Sequence, residues 1–178
     1  MSAAETTMRA KSIGFARKLV EWWALAGGVL LIAVVLMTTW SVFSGAVFGT
    51  PFPGDFELTE IGVAVAAFAF LPYCQITGSN VSADIFTSRA GPRVIAALTL
   101  LAALIAMAFS LLLLWRMWAG MIDYQKYLET TAILQIPLWT AFVPILCSLA
   151  LLCLASVVTL VEATEKLAQG AATGSKPS

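Results

Sequence analysis

Charged residues divide the chain into four apolar stretches, and each stretch is long enough to cross a lipid bilayer. The charge-free intervals lie between Glu21 and Asp55, Glu60 and Asp84, Arg93 and Arg116, and Glu129 and Glu162. A spanning helix needs about 20 mostly apolar residues, because it crosses about 30 Å of hydrocarbon at 1.5 Å per residue. The pattern therefore predicts an all-α integral membrane fold with four spans, at about residues 22–47, 59–76, 94–118 and 138–161.

Two of the segments that join these spans are predicted to face the same side of the membrane. Residues 45–55 contain Gly49, Pro51 and Pro53, which interrupt a helix, so this segment is predicted to be an extended turn. Residues 119–135 carry charged side chains at helical spacing. Span three is therefore expected to continue beyond the bilayer as a solvated helix.

The connector between spans two and three has a different pattern. Residues 79–90 place three large apolar side chains on one side of a helical wheel and polar side chains elsewhere, ahead of a Gly-Pro break. This pattern is typical of a short amphipathic helix that lies in the membrane interface. Its predicted anchors are Val81, Ile85 and Phe86, with Arg89 and Arg93 positioned to meet anionic headgroups.

Lys and Arg are distributed unevenly between alternate segments. Eight of the ten basic residues lie in the N-terminal segment, in the loop between spans two and three (Arg89 and Arg93) and in the tail. The other two connectors, with the adjoining helix end, hold Arg116 and Lys126. Because Lys and Arg near spans are retained in the cytoplasm, both termini are predicted to be cytoplasmic. The first apolar run exceeds the 7–15 residues of a signal peptide and is expected to remain. Residues 1–21 then precede a single membrane domain, 22–162, and a disordered tail, 163–178.

Composition narrows the chemistry that these spans offer. The chain is 60% apolar and 11% charged, so lipid is expected to be the solvent for most of its surface. It contains no histidine, which argues against bis-histidine haem ligation and most zinc or copper sites. Cys74, Cys147 and Cys153 form no CxxC pair and are interpreted as apolar core thiols. We therefore expect no cofactor, no metal and no enzymatic activity.

No Asp, Glu, Lys or Arg lies in the middle of a predicted span, whereas ionisable groups usually mark the pathway of a transporter. The chain is therefore expected to be a partner of a transporting protein. Ser41, Gly45 and Gly49 form a small-xxx-small series that would let a partner helix approach, although both glycines also suit the turn. Glu60 is a further candidate partner contact; the alternative is that it only complements the dipole of helix two.

Three short motifs, taken in order, carry a resemblance to a known family. They are Phe56-Glu57-Leu58-Thr59-Glu60 at the entry to span two, the polar connector from Gln75 to Ile85, and Ile136-Pro137-Leu138-Trp139 at the entry to span four. Together with the basic N-terminus and the span lengths, they resemble the small membrane subunit of TRAP (tripartite ATP-independent periplasmic) transporters, the DctQ family. The resemblance covers nearly the whole chain.

The resemblance implies a function. Members of this family pair with a large permease subunit that binds substrate and sodium and moves by an elevator mechanism, fed by a periplasmic substrate-binding protein. The small subunit is implied to be a fixed scaffold in the bacterial inner membrane, with sodium coupling in the large subunit and organic acids or related solutes as cargo. An independent small channel or exporter, or a membrane redox or assembly protein, remains the alternative.

The predicted topology also places a set of charged residues on the periplasmic face. They are Asp55, Glu57, Arg116, Asp123 and Lys126. If the resemblance holds, these side chains are candidates for docking the binding protein. The alternative is a solvated rim, because exposed ion pairs contribute only about 0–1 kcal/mol each.

Overall fold

The computed structural model describes residues 3–78 and 92–173, and these residues fold into four long helices. The helices are α1 (Ala3–Phe48), α2 (Asp55–Thr77), α3 (Pro92–Tyr127) and α4 (Trp139–Thr173). Each contains a segment long and apolar enough to cross a membrane: Ile13–Phe48, Asp55–Thr77, Leu100–Tyr127 and Trp139–Thr164. The prediction of an all-helical chain with four spans is confirmed.

Two parts of the predicted architecture stay predictions. The interfacial helix at 79–90, with its anchors Val81, Ile85, Phe86 and Arg89, lies outside the described residues. Arg93 falls in the first turn of α3, but its side chain is also outside the described part. The orientation of the four helices across the membrane is likewise a prediction.

Helix α4 occupies the centre of the structure. It packs against α2 on one side and α3 on the other, and more lightly against α1, while α1 packs mainly against α2. The helices therefore form an open arrangement in the spatial order α1, α2, α4, α3. Large apolar side chains such as Val29 and Ile32 of α1, and Ile105 and Phe109 of α3, remain exposed. Such surfaces are expected of a chain whose solvent is lipid.

Small residues let α1 and α2 approach closely. A Cβ atom added to Gly27 of α1 would lie 2.7 Å from Cβ of Ala69, and one added to Gly62 of α2 would lie 2.5 Å from Cγ2 of Val34. Lipid provides no hydrophobic drive for two helices to associate, so close van der Waals contact between backbones is what holds such a pair. The first two helices thus form a tight antiparallel hairpin.

The N-terminal part of α1 meets the C-terminal part of α4 at what we call the Arg17 end of the bundle. Ala16 and Val20 of α1 form a buried cluster with Ile76 of α2 and with two residues of α4, Ala155 and Val158. Beside this cluster, Nη2 of Arg17 lies 2.8 Å from Oε1 of Glu162. The cluster and the ion pair join the N-terminal part of α1 to the C-terminal part of α4.

Candidate interaction surfaces

The opposite end of the bundle, which we call the Glu57 end, contains the two connectors 49–54 and 128–138. In the longer connector the backbone N–H of Thr131 donates to the carbonyl of Ile136 at 2.9 Å, and Leu138 donates to Glu129 at 3.0 Å. These bonds fold the connector into a narrow turn. These bonds do not use the backbone N–H groups at its tip, in residues 132–135.

Glu57, in the first turn of α2, binds two of these N–H groups. Its carboxylate accepts hydrogen bonds from the backbone N–H groups of Ile133, at 2.6 Å, and Leu134, at 3.0 Å. Charge-assisted hydrogen bonds of this kind are stronger than those between neutral groups. We call this contact the Glu57 clamp, because it fastens the connector before α4 to the start of α2.

Leu134 strengthens the clamp from its other side. Its side chain packs directly on Gly54, the residue before α2, so closely that a Cβ atom there would overlap with it. Gly54 also has a φ of +80°, a left-handed conformation that side chains with a Cβ rarely adopt. Position 54 therefore requires glycine both for its backbone conformation and for the space that Leu134 fills.

A second polar contact closes the junction between α1 and α2. Ser41 is 1% exposed, and its hydroxyl donates to Oδ2 of Asp55 at 2.6 Å. The hydroxyl oxygen of Ser41 also accepts a hydrogen bond from the backbone N–H of Phe52 at 3.1 Å. Asp55 also accepts its neighbour's N–H, from Phe56, at 2.7 Å. One buried hydroxyl thus connects α1, the connector and the start of α2.

The two glycines predicted with Ser41 as partner contacts lie at the end of α1. Gly45 faces Pro51 of the connector, since a Cβ atom there would lie 3.4 Å from Cβ of the proline. Gly49 has a φ of +70° and donates its N–H to the carbonyl of Gly45 at 3.1 Å. The structure therefore gives all three small residues contacts inside the chain, and their contact with a partner stays a prediction.

Glu60 differs from the two acids that precede it. Its side chain is exposed, and it forms no hydrogen bond or ion pair with any residue in the part of the chain that the structure describes. Asp55 and Glu57 are held by Ser41 and by the connector, respectively. Of the three acidic residues at the start of α2, Glu60 alone is thus left available to a partner among the described residues.

The remaining charged residues predicted for docking lie on α3 and are exposed. Lys126 places its Nζ 5.6 Å from the centroid of the Tyr127 ring. Asp123 lines a small pocket of about 280 Å³ with Tyr124, Tyr127 and Glu129. Arg116 lies on the same helix, about two turns closer to its start. The five predicted docking residues thus divide into Asp55 and Glu57, which stabilise the connectors, and three exposed side chains on α3.

The bundle surface also carries an apolar groove, and the chain has three cysteines. The groove, of about 530 Å³, is lined by apolar residues of α1, α2 and α4, among them Met37, Ile61 and Pro144. Cys74, Cys147 and Cys153 are free thiols. Within the described residues no three or more His, Cys, Asp or Glu side chains come together as a metal site would require.

Comparison with known families identifies the chain. The family model described as "Tripartite ATP-independent periplasmic transporters, DctQ component" matches residues 34–166. The chain belongs to the DctQ family. No curated protein and no solved structure matches it.

The match covers all three motifs that carried the resemblance seen in the sequence, and the resemblance is thereby confirmed. DctQ proteins are the small permease components of TRAP transporters and not an enzyme family. With its four apolar helices, this DctQ chain is a multi-pass transmembrane transport protein.

Several structural contacts of this DctQ chain were not anticipated from its sequence. The indole N–H of Trp23 donates to the hydroxyl of Ser148 at 2.9 Å, linking α1 to α4. Arg17 pairs with Glu162 across 145 positions of sequence. The opposite charges of this pair, each near the predicted cytoplasmic end of a span, are the one sequence signal that points to a contact. For Trp23, its position near a span end suggested only an interfacial aromatic belt.

Proposed function

We propose that this DctQ chain is the scaffold subunit of a sodium-coupled TRAP transporter that takes up organic acids or related solutes. It would pair with a large permease subunit in the bacterial inner membrane and work with a periplasmic binding protein. The observation that carries the proposal is the position of the charged side chains. In the described helices, no Asp, Glu, Lys or Arg falls between Glu21 and Asp55, between Glu60 and Thr77, or between Trp139 and Val161.

A solute and its coupling ions need polar ligands near the middle of the membrane, usually on interrupted helices. The described segment of α3 from Leu100 to Trp115 is also free of charge. Transport by this chain alone would therefore have to proceed without the groups that ordinarily mark a pathway. The proposal therefore places the sodium and substrate sites in the large subunit.

Contacts between helices at both ends of the bundle support a static role. The Glu57 clamp joins the start of α2 to the connector that leads into α4. At the other end, Arg17 and the Ala16–Val20 part of α1 contact α4 near Glu162. A scaffold must keep its shape while its partner moves, and contacts at both ends oppose sliding of the helices. The exposed apolar surfaces of α1 and α3 then face lipid or the partner.

Reconstitution into liposomes tests the proposal. Sodium-dependent uptake of a TRAP-type substrate should require three components: this chain, a large permease subunit and a binding protein. Liposomes that hold this chain alone should show no uptake above protein-free vesicles. Uptake by the single chain would contradict the scaffold role and favour an independent channel or exporter. Full uptake by the large subunit and binding protein alone would also contradict it.

A further inference from the structure

One face of α2 points away from the rest of the bundle. Its residues are spaced by three or four positions along the helix and are Phe56, Glu60, Val63, Ala67 and Leu71. Phe56 is 84% exposed, and Val63 and Leu71 are 44% and 36% exposed. The opposite side of α2, with Gly62, Ala66 and Ala69, is buried within the bundle. We call the exposed side the Glu60 face.

The Glu60 face carries a carboxylate without a partner in the described residues. Asp55 and Glu57, on other sides of the same helix end, are engaged by Ser41 and by the connector before α4. Glu60 projects among apolar side chains instead. Its neighbours on the face, one turn away in either direction, are Phe56 and Val63.

The length of α2 places this carboxylate at the edge of the hydrocarbon. Helix α2 has 23 residues and ends at Thr77. About 20 residues are needed to cross about 30 Å, and counting back from Thr77 reaches Leu58. Glu60 then lies about 3 Å inside the membrane boundary, and any tilt of α2 carries it deeper. A carboxylate there is costly to leave facing lipid, and ionisable groups in membranes are usually paired.

The exposed charges of the neighbouring helices α1 and α3 are placed differently from Glu60. The lipid-accessible side of α1 is formed by residues such as Leu25, Val29 and Ile32, and that of α3 by residues such as Ile105 and Phe109. Glu21 is exposed on α1 but precedes the apolar run of that helix, and Arg116 is exposed on α3 with a side chain long enough to reach the membrane interface. Glu60 has a shorter side chain and lies within the apolar run of α2, so its face calls for a cationic partner as well as an apolar one.

We infer that the Glu60 face is covered by a transmembrane helix of the large permease subunit, which presents an Arg or Lys side chain to Glu60. This inference rests on the proposed function and adds which surface meets the partner and by what chemistry. The small side chain of Ala67 lets a helix approach, while Val63 and Leu71 bury apolar area against it. The ion pair fixes the depth and register of the contact.

Site-specific photo-crosslinking tests the contact directly. With p-benzoyl-phenylalanine in place of Val63 or Ala67, irradiation of the assembled complex should produce an adduct of this chain with the large subunit. Mass spectrometry of that adduct should locate the crosslinked helix and a basic residue within one turn of the crosslink. Adducts with lipid alone, or with a second copy of this chain alone, would overturn the inference.

Charge variants test the ion pair. Glu60→Gln should weaken the complex and Glu60→Lys should weaken it at least about tenfold, measured as the large subunit that co-purifies in mild detergent. Reversing the charge of the crosslinked basic residue should restore the Glu60→Lys complex. Asp123→Asn is the matched control, because Asp123 is an exposed acid on α3, and it should leave recovery unchanged.

The outcomes separate this inference from the proposed function. If the wild-type complex forms and Glu60→Lys does not change the amount recovered, the inference is overturned and the scaffold role stays intact. Failure of the wild-type chain to associate with the large subunit would overturn both. Because Glu60 is exposed and forms no hydrogen bond or ion pair within the described residues, its variants should fold as the parent does, which an unchanged thermal midpoint of the isolated chain would verify.

Discussion

The carboxylate of Glu57 accepts a 2.6 Å hydrogen bond from the backbone N–H of Ile133, which lies 76 positions further along the chain. A second bond, from Leu134 at 3.0 Å, makes the contact bidentate. Two connectors that are distant in sequence therefore behave as one structural unit at the Glu57 end. Any partner that docks on this end meets a surface whose shape depends in part on the Glu57 side chain.

The clamp predicts a local effect of Glu57→Gln. The amide retains one acceptor oxygen and loses the charge, so at least one of the two backbone N–H groups loses its acceptor. We expect faster hydrogen exchange at Ile133 and Leu134 and a lower thermal midpoint in detergent. Glu60→Gln is the control, as Glu60 does not contact this connector, and it should leave both amides unchanged. Equal exchange in parent and Glu57→Gln proteins would contradict the clamp.

The close approach of α1 and α2 predicts that a large residue at position 62 is not tolerated. In Gly62→Leu the new side chain would overlap with Val34, whose Cγ2 lies 2.5 Å from the position of an added Cβ. Overpacking of this kind costs about 1–3 kcal/mol. The thermal midpoint of the isolated chain should fall, and Val34→Ala in the same chain should recover part of the loss. A midpoint that does not change would mean that the helices are not in contact there.

The hydrophobic pattern was sufficient to predict the number and order of the helices, but not how they pack. Charge-free runs of about 20 residues specify spans because the thickness of the bilayer sets their length. Packing depends instead on which side of each uniformly apolar helix meets a neighbour. In α3, apolar residues occur all round the helix, so no stripe in the sequence indicates that this helix packs mainly against α4.

The roles of the acids at the start of α2 could be predicted only in part. From the sequence, Asp55 and Glu57 are candidates for docking the binding protein and Glu60 is a candidate contact for a partner subunit, but no pattern separates the acids that bond within the chain from the one that does not. The separation came from tertiary contacts: Ser41 reaches Asp55, and the turn before α4 presents two N–H groups to Glu57. The turn itself requires a positive φ at Gln135, of +55°, which no glycine at that position indicated.

The distribution of Lys and Arg predicts that both termini are cytoplasmic. A reporter that works only in the cytoplasm should be active when it is fused after Lys166. A reporter that works only in the periplasm should be active when it is inserted within residues 49–55. The physical reason is that basic flanks are retained on the cytoplasmic side during insertion. Alkaline phosphatase and green fluorescent protein make a suitable complementary pair. The same sidedness at both positions would contradict the four-span topology.

The exposed charges of α3 predict an effect on docking of the binding protein. Charge reversal at Asp123 and Lys126 together should raise the binding-protein concentration that gives half-maximal uptake, because complementary charges speed encounter. The maximal rate should change little. Arg116, about two turns away on the same helix, provides a comparison variant, Arg116→Ala. If the double reversal leaves the half-maximal concentration unaltered, these residues form only a solvated rim.

Ser41 gives a prediction that separates its two possible roles. The hydroxyl is buried, donates to Asp55 and accepts from Phe52, so Ser41→Ala leaves a carboxylate oxygen and a backbone N–H without partners inside the chain. Loss of partners in a buried site costs about 1–3 kcal/mol, and the thermal midpoint of the isolated chain should fall accordingly.

A contact between Ser41 and the large subunit would behave differently. The isolated Ser41→Ala chain would then unfold at the same temperature as the parent, and only its recovery with the large subunit would decline. Gly45→Ala is a useful companion variant, because an added Cβ would lie 3.4 Å from Pro51, an ordinary contact distance, and should alter the junction little. Ser41 lies about two turns before the end of α1, at the junction with the connector. A weakened junction should also speed hydrogen exchange at Phe52 and Asp55. This readout distinguishes loosening of the hairpin between α1 and α2 from loss of a contact with the partner.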